Sequence, residues 1–232
     1  MATTMNIDQL QLLQLLQLTS PSLPIGGFSW SQGLESAIDQ GWLNNEADLT
    51  DWLQGVASHS FVWQEWPLLR RLYDAAQQLN TADGQQDLIH WNAVALALRE
   101  TSELRQEDTQ MGAALLRLLK DLNVDIAAEW EQQEISYLTA FAMAATSKKV
   151  PLDAACSGLI WSWLENQIAA ALKAFPMGQT AGQRVFHSLV DQIPQWYQQS
   201  LRVTDDEIGL SVPGLVMASM GHENQYSRLF RS

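Results

Sequence analysis

The stretch TSPSLPIGGFSWSQGLE, residues 19–35, separates two helical patterns and decides how the first part of the chain folds. Pro21 and Pro24 end the preceding pattern, because proline has no N–H to donate within a helix. Ser29 or Ser31 is suited to cap the pattern that follows, because a serine oxygen accepts a hydrogen bond from a free N–H at a helix start. The stretch therefore predicts a loop that opens a helix.

The same loop has two interpretations. A helix start carries free N–H groups and the positive end of the helix dipole, so it is able to bind an anion. The plainer alternative is a tight connection between helices, in which Phe28 and Trp30 fill the core beside the paired glycines Gly26 and Gly27. A phosphate-binding loop is disfavoured, since the stretch lacks the glycine-rich nucleotide-binding spacings and contains no Lys or Arg.

Outside this loop, apolar residues recur with helical spacing and do not alternate as they would in a strand. In the first pattern, Leu10, Leu13 and Leu16 are expected to pack against another helix. The predicted helices cover residues 7–18, 29–40, about 49–57, 67–79, 87–123, 131–147, 151–175 and about 180–200.

Two of these patterns contain a signal for a break. The charged segment 101–108 predicts a break or bend near it, and Pro194 predicts a kink or a shortening of the last helix. Pro67 suits the first turn of the fourth helix, where a missing N–H costs nothing. We therefore predict an all-α fold: a single helical-bundle-like domain of about eight to ten helices over residues 1–200, with a C-terminal tail over residues 201–232.

The chain is strongly acidic, with a formal net charge of −13 over 232 residues. Nucleic-acid binding needs clustered Lys and Arg, so this class of function is excluded. No Lys or Arg precedes Arg70, and that part of the chain is expected to form a solvated acidic face or a docking surface for basic proteins. The acidic residues before Arg70 are Asp8, Glu35, Asp39, Glu46, Asp48, Asp51 and Glu65.

The tryptophans indicate how the core is filled, and the cysteine content indicates the cellular compartment. Five of the ten tryptophans lie in helical patterns and are expected to fill the core: Trp52, Trp63, Trp91, Trp161 and Trp163. Cys156 is the single cysteine, so no intramolecular disulfide is possible and a reducing compartment is expected. No signal peptide or apolar run of membrane-spanning length is visible, and we expect a cytoplasmic protein.

Most catalytic and metal-binding chemistry is missing from the sequence. The histidines are scattered, and each is expected at the surface or at a helix cap: His59, His90, His187 and His222. Cys156 lies among small apolar residues and is expected to be a buried structural residue. No hydrolase, metalloprotease or nucleotide-binding motif is present. We therefore predict no catalytic residue, metal site or cofactor, and a binding protein rather than an enzyme.

The last part of the chain differs from the rest. Residues 203–214 hold acidic, Gly and Pro residues without a period, and the following end of the chain places Tyr226, Leu229 and Phe230 around Arg228 and Arg231. A terminus often frays, which is one interpretation. The other is a segment that becomes ordered on a partner, because apolar and cationic residues are unusual in a disordered end.

Four separated segments together resemble the family of the urease accessory protein UreF. They are SPSLPIGGFSWSQGLE at 20–35, SELRQEDTQMGAALLRL at 102–118, AFPMGQTAGQR at 174–184 and HENQYSRLFRS at 222–232. The resemblance spans nearly the whole chain, and four such segments in order are specific. It implies an all-α cytoplasmic scaffold, without catalysis of its own, for assembling the nickel centre of urease.

The resemblance also implies partners. Members of this family bind the accessory protein UreD, also called UreH; the pair dimerises, recruits the nickel-carrying GTPase UreG and docks on apo-urease. By position, Arg228 is the arginine implicated in recruiting the GTPase, residues 226–232 belong to the part that orders against UreD, and Phe28 is linked to dimer assembly. The expected partner-binding residues are Phe28, Trp30, Gln179, Gln183, Tyr226, Ser227, Arg228, Leu229, Phe230 and Arg231.

Small departures from the family pattern bear on these partner details. Trp30 stands where tyrosine is common, and Met177 stands where leucine is common.

Two other functions stay open. One is a GTPase-activating or GTPase-regulating protein that acts on UreG, with Arg228, Arg231 or Arg202 as an arginine finger. The other is an enzyme that uses Cys156 as its nucleophile.

Overall fold

A computed structural model describes residues 7–124, 130 and 133–232, and the regular structure in this part of the chain is helical throughout. This confirms the predicted all-α class. None of the described helices is long and apolar enough to cross a membrane. The α-helices are α1 Gln9–Leu18, α2 Leu34–Asp39, α3 Glu46–Val56, α4 Trp66–Gln77, α5 Ala82–Ala97, α6 Ser102–Asp121, α7 Tyr137–Ser147, α8 Leu152–Ala174, α9 Gln179–Val190, α10 Ile193–Ser200 and α11 Pro213–Glu223.

The chain forms two compact units. The first takes in the described parts of residues 1–26, 68–98 and 108–159, and the second consists of residues 27–67, 99–107 and 160–232. The second unit therefore contains residues from both the predicted domain 1–200 and the predicted tail 201–232. That division of the chain stays a prediction.

In the first unit, α7 packs against α1 and α5. Asn92 on α5 fixes the start of α7: its Nδ2 donates to the Glu134 carbonyl at 3.0 Å and its Oδ1 accepts from the Ser136 N–H at 2.9 Å. Ser136 then caps α7 by accepting a bond from the Thr139 N–H at 3.1 Å. These bonds satisfy main-chain groups at a helix entry, where the helix itself supplies no partner. The helix consequently begins at Tyr137, later than the predicted start at Glu131, a residue that lies outside the described part.

The face of α1 that packs is not the predicted one. Leu15 and Leu18 are buried in the first unit, whereas Leu10, Leu13 and Leu16 are exposed. The helix is rich in leucine on several faces, so spacing alone left its orientation undetermined.

In the second unit, a π-helix at Ala57–Glu65 joins α3 directly to α4. Pro67 lies in the first turn of α4, as predicted. Because Pro67 has no N–H, it cannot donate to the carbonyl of Trp63 one turn earlier. The N–H of Gly209 donates to that carbonyl instead, at 3.1 Å.

The loop before α2 differs from its prediction. Residues Gly27–Ser29 form a single 3-10 turn, and α2 begins only at Leu34, with Gly33 as its N-cap. Ser29 is not a cap, whereas the Ser31 hydroxyl accepts a hydrogen bond from the Glu35 N–H at 3.3 Å, as a capping serine does. Gln32 and Gly33 have φ angles of 53° and 76°, in the left-handed region, so the chain cannot enter a right-handed helix before Leu34.

Both predicted breaks are confirmed, with adjusted positions. The chain leaves the helix at Leu98 and re-enters it at Ser102, so most of the charged segment 101–108 forms the first turns of α6. The last predicted helix is divided into α9 and α10, and Pro194 lies in the first turn of α10.

The tryptophan prediction is wrong. Trp63 and Trp161 are exposed by 36% and 46%, and the other three predicted core tryptophans are half-buried. One reason is that a half-buried tryptophan satisfies its polar N–H near the surface: Trp163 Nε1 donates to Gln32 Oε1 at 2.7 Å. The buried tryptophans of the described part are Trp30, Trp66, Trp130 and Trp196.

Candidate functional site

The terminal segment, which we define as residues 225–232, lies against the loop that precedes α2. The N–H of Ser31 donates to the main-chain oxygen of Ser232 at 2.7 Å, and the N–H of Arg231 donates to the Ser29 carbonyl at 2.9 Å. The Ser31 hydroxyl also donates to the Ser232 oxygen. The loop and the terminal segment, which are nearly a whole chain apart in sequence, therefore form one structural element.

Glu35, on the first turn of α2, holds the middle of the terminal segment. Its Oε1 accepts from the N–H of Leu229 at 2.7 Å and its Oε2 accepts from the N–H of Phe230 at 3.0 Å. Hydrogen bonds to an ionised carboxylate are among the stronger ones in proteins. Glu35 is buried, which corrects its assignment to a solvated acidic face.

Glu103, on the first turn of α6, holds Arg228. Its Oε1 accepts from Arg228 Nη1 at 2.8 Å, and its Oε2 lies 2.8 Å from Nδ1 of His222. The other ring nitrogen of His222, Nε2, lies 3.3 Å from Oε2 of Glu35. We call Glu35, Glu103, His222 and Arg228 the His222 cluster. His222 is completely buried on α11, so the prediction of a surface or capping histidine is wrong.

The start of α6 meets α11 at three consecutive residues. The hydroxyl of Thr101 lies 2.7 Å from that of Ser219, and the Ser102 hydroxyl donates to Glu223 at 2.5 Å. Glu103 follows with its contact to His222. Polar partners thus fix the face of α11 that lies inward, and the terminal segment follows directly from that helix.

A second helix, α2, approaches α11 closely enough to require glycine. A Cβ on Gly33 would lie 2.6 Å from the main-chain nitrogen of Ser219, and the φ of Gly33 is 76°. Both the contact and the backbone conformation would put any residue with a Cβ under strain at this position. Gly33 therefore positions Glu35, two residues later, against α11 and the terminal segment.

Side chains of the terminal segment divide into buried and exposed ones. Phe230 is buried, with Lys173 Nζ 5.4 Å from its ring centre. Arg231 lies over the ring of the buried Trp30 at 5.8 Å. Tyr226 is fully exposed, Leu229 is 68% exposed, and the Arg228 side chain is 40% exposed. Ser227 is exposed as well.

The remaining predicted site residues lie elsewhere in the second unit. Phe28 is 64% exposed on the 3-10 turn, so it does not fill the core as one interpretation required. Gln179 and Gln183 are exposed on α9. Within the described part of the chain, no hydrogen bond joins either glutamine to the terminal segment.

Near those glutamines, Arg184 forms a bidentate ion pair with Glu46 at 2.9 and 2.6 Å. The hydrogen bond from Arg184 lowers the pKa of the Glu46 carboxyl. The pair is solvent-exposed, so it adds little to stability. It nevertheless joins α9 to α3, two helices that pack against each other.

Glu35, Glu103 and His222 complete the site, but the sequence did not predict that they hold the end of the chain. A signal was present, because each of the three lies inside one of the segments that carry the family resemblance. None of these residues is part of a group of three His, Cys or acidic residues arranged to hold a metal, and no such group exists within the described residues. Cys156 is buried as predicted, and burial raises the pKa of its thiol.

Comparison with known proteins places the chain in a family. The family model UreF matches residues 43–190. A urease accessory protein UreF of Psychrobacter cryohalolentis is 46% identical over 230 residues, covering 97% of this chain and 96% of that protein. One of Marinobacter nauticus is 47% identical over 223 residues, covering 96% and 95%, and one of a Marinomonas species is 44% identical over 230 residues, covering 99% and 98%. Since the family model covers more than half of the chain and the relatives extend over nearly all of it, the chain belongs to the UreF family.

Proposed function

We propose that the chain is a urease accessory protein that binds UreD (UreH) and recruits the GTPase UreG to apo-urease, where the nickel centre is assembled. In this role it is a cytoplasmic, non-catalytic scaffold. The observation that supports the proposal is the terminal segment: Glu35 and Glu103 hold residues 228–230 in place, while Tyr226 and Leu229 project into solvent.

A segment held in this way is suited to binding a protein partner. Tyr and Arg side chains contribute a large share of binding energy at interfaces, and an exposed tyrosine beside an arginine and a leucine offers such contacts. Because residues 228–230 are already fixed by the chain, less conformational entropy is lost when a partner binds them. We propose that UreD orders the part around Tyr226 and Ser227, and that Arg228 contributes to the contact with UreG.

The charge of the chain supports partners with basic faces. With a net charge of −13, the chain attracts positively charged proteins over a distance and raises their association rate. Asp39, Asp48 and Asp51 are not buried and remain available for such a surface, whereas Glu35 and Glu65 are buried. Glu65 pairs with Arg99 at 2.6 Å inside the second unit.

Two further surfaces belong to the proposal. The exposed Phe28 is a residue of the contact between two copies of the chain in the UreD complex, since an exposed phenylalanine gains free energy by burial. Gln179 and Gln183 are exposed polar residues on α9 and are proposed to contact a partner.

The rival function is GTPase activation by an arginine finger. Such a finger needs a guanidinium that reaches the nucleotide of the partner. Arg228 is paired with Glu103, and Arg231 lies over Trp30, so both would have to leave these positions first. These contacts favour docking of UreG over an arginine finger at Arg228 or Arg231, whereas Arg202, the third candidate, is exposed.

The test is capture of UreG by the preformed complex of this chain with UreD. Arg228→Ala is expected to leave the UreD complex intact and to lose UreG, while Arg117→Ala, a change of an exposed arginine on α6 that is not a finger candidate, is expected to retain it. Undiminished capture of UreG by Arg228→Ala would contradict the proposed role.

GTP turnover by UreG, measured with and without the complex, separates docking from activation: a rate raised by the wild type and not by Arg228→Ala would favour the activator.

A further inference from the structure

His222 is a completely buried histidine whose two ring nitrogens both face carboxylates. Nδ1 lies 2.8 Å from Glu103 Oε2, and Nε2 lies 3.3 Å from Glu35 Oε2. The side chains of the two glutamates are 9% and 7% exposed, so water does not replace either partner. The docking of a partner does not explain why a histidine is buried between these two carboxylates.

The arrangement fixes how many protons the cluster holds. An ionised carboxylate only accepts hydrogen bonds, and a neutral imidazole has a single N–H. If the ring is neutral and both carboxylates are ionised, one ring nitrogen faces a carboxylate oxygen with no proton between them. The lone pairs of these two atoms are then buried without a donor, which is unfavourable. The cluster therefore needs one proton more than a neutral histidine supplies.

The other donors in the cluster decide where this proton is. Glu35 already accepts from the N–H groups of Leu229 and Phe230, and Glu103 accepts from the guanidinium of Arg228. Donors of this kind stabilise a carboxylate in its ionised form. The extra proton consequently resides on the imidazole, and the charges of the four side chains then sum to zero.

We propose that His222 is a positioning residue that, protonated on both ring nitrogens, joins Glu35 and Glu103 into one unit that holds residues 228–230. Glu35 fixes the main chain of Leu229 and Phe230, and Glu103 fixes the side chain of Arg228. The bridge through His222 makes these two attachments interdependent. That the bridge also sets the orientation in which Arg228 meets UreG rests on the proposed function.

Loss of the bridge has a defined structural consequence. With a neutral ring, one of the two carboxylates faces the lone pair of a ring nitrogen in a buried site, which is unfavourable. The groups that face the ring are Glu35 from α2 and Glu103 from α6, and Arg228 approaches from the terminal segment behind Glu103. Release of the terminal segment into solvent removes this unfavourable arrangement.

The first experiment needs no variant. In the ¹⁵N-labelled full chain near neutral pH, the ring of His222 is expected to give two slowly exchanging N–H signals, with both nitrogens at the shifts of an imidazolium. The exposed ring of His187 is recorded in the same spectrum for comparison. A His222 ring with one protonated nitrogen under the same conditions would overturn the proposal.

The second experiment measures hydrogen exchange at the amides of Leu229 and Phe230. Glutamine at 222 supplies N–H groups on one side only, so His222→Gln is expected to speed exchange at both amides by at least about tenfold. His187→Gln is the matched control and is expected to leave both rates unchanged. Unchanged exchange in a folded His222→Gln chain, as judged by its circular dichroism, would also overturn the proposal; if the variant does not fold, the ring signals of the wild type decide.

These readouts are independent of the proposed function. Neither experiment contains UreD or UreG, so a negative result in them removes the role of His222 and leaves the scaffold untouched. Conversely, retention of UreG by Arg228→Ala would remove the role of Arg228 in recruitment, while the exchange rates would still report whether His222 positions the segment.

Discussion

The carboxylate of Glu35 accepts a hydrogen bond of 2.7 Å from the main-chain N–H of Leu229, although 194 positions separate the two residues. An acidic residue on the second helix therefore holds the last residues of the chain. The family resemblance assigned the end of the chain to partner binding. The hydrogen bond adds that this chain itself fixes the main chain of the segment before any partner is bound.

Replacing Glu35 tests that attachment. In Glu35→Gln an amide NH₂ group, which cannot accept a hydrogen bond, replaces one carboxylate oxygen. One of the two N–H groups therefore loses its acceptor, and the other keeps only an uncharged acceptor. We expect local opening of the terminal segment to become easier by about 1.5–3 kcal/mol. Trypsin should then cleave after Arg228 faster than in the wild type. Asp39→Asn, at the exposed end of the same helix, should cleave at the wild-type rate; equal rates for both variants and the wild type would refute the attachment.

Substitutions at two glycines distinguish the cost of backbone strain from the cost of a steric clash. Gly26 and Gly33 have similar φ angles of 78° and 76°, but a Cβ on Gly26 meets nothing within 4 Å, whereas one on Gly33 would lie 2.6 Å from the Ser219 nitrogen. Gly26→Ala should lower the free energy of unfolding by about 1–2 kcal/mol through strain alone. Gly33→Ala should lower it further, because main-chain atoms of α11 must also move. Chemical denaturation of the two variants measures the difference, and equal losses would contradict the close approach of α2 and α11.

Asn92 offers a test within the first unit. Its side chain bonds to the main chain of Glu134 and Ser136, at the entry of α7. Asn92→Ala leaves the buried N–H of Ser136 without this partner and removes the bond to the partly buried carbonyl of Glu134, and we expect a loss of about 1–3 kcal/mol in the free energy of unfolding. Gln86→Ala, an exposed position on the same helix, is expected to change it by less than about 0.5 kcal/mol. A loss no larger for Asn92→Ala than for Gln86→Ala would show that Asn92 does not secure α7.

Cys156 is expected to be unreactive in the folded chain. Burial, with a smaller contribution from the Asp153 carboxylate, raises the pKa of its thiol. A raised pKa leaves less thiolate at any given pH, and the thiolate is the species that reacts with iodoacetamide. Alkylation at about pH 8 should therefore be much slower in the native chain than in denaturant. Rapid alkylation of the native chain would revive the cysteine enzyme as a candidate function.

Local signals in the sequence were sufficient to predict the positions of most helices. The long apolar period and the proline at its start predicted residues 151–175, and the helix is Leu152–Ala174. Pro194 predicted the division between α9 and α10. Signals of this kind act within a few residues, so they do not depend on the rest of the fold.

The candidate site was only partly predictable, because its contacts join residues far apart in sequence. On α11, His222 and Ser219 are buried while Met217 and Met220 are exposed, which is the reverse of what hydropathy predicts. The helix is oriented by polar partners on α2 and α6 rather than by apolar burial. Similarly, the Ser31 hydroxyl accepts from the Glu35 N–H, as expected of a capping serine, but it also donates to Ser232, a contact that the local sequence does not indicate. The family resemblance indicated which segments matter, without indicating that they contact one another.

The most direct test of the scaffold is size-exclusion chromatography of this chain with UreD and UreG. The full chain is compared with a chain that ends at Gln225, which retains α11 and His222 but lacks residues 226–232 of the terminal segment. We predict that the full chain elutes together with both partners and that the shortened chain, still folded by circular dichroism, elutes without either of them. Co-elution of the shortened chain with both UreD and UreG would contradict the proposal that the terminal segment is the partner-binding element.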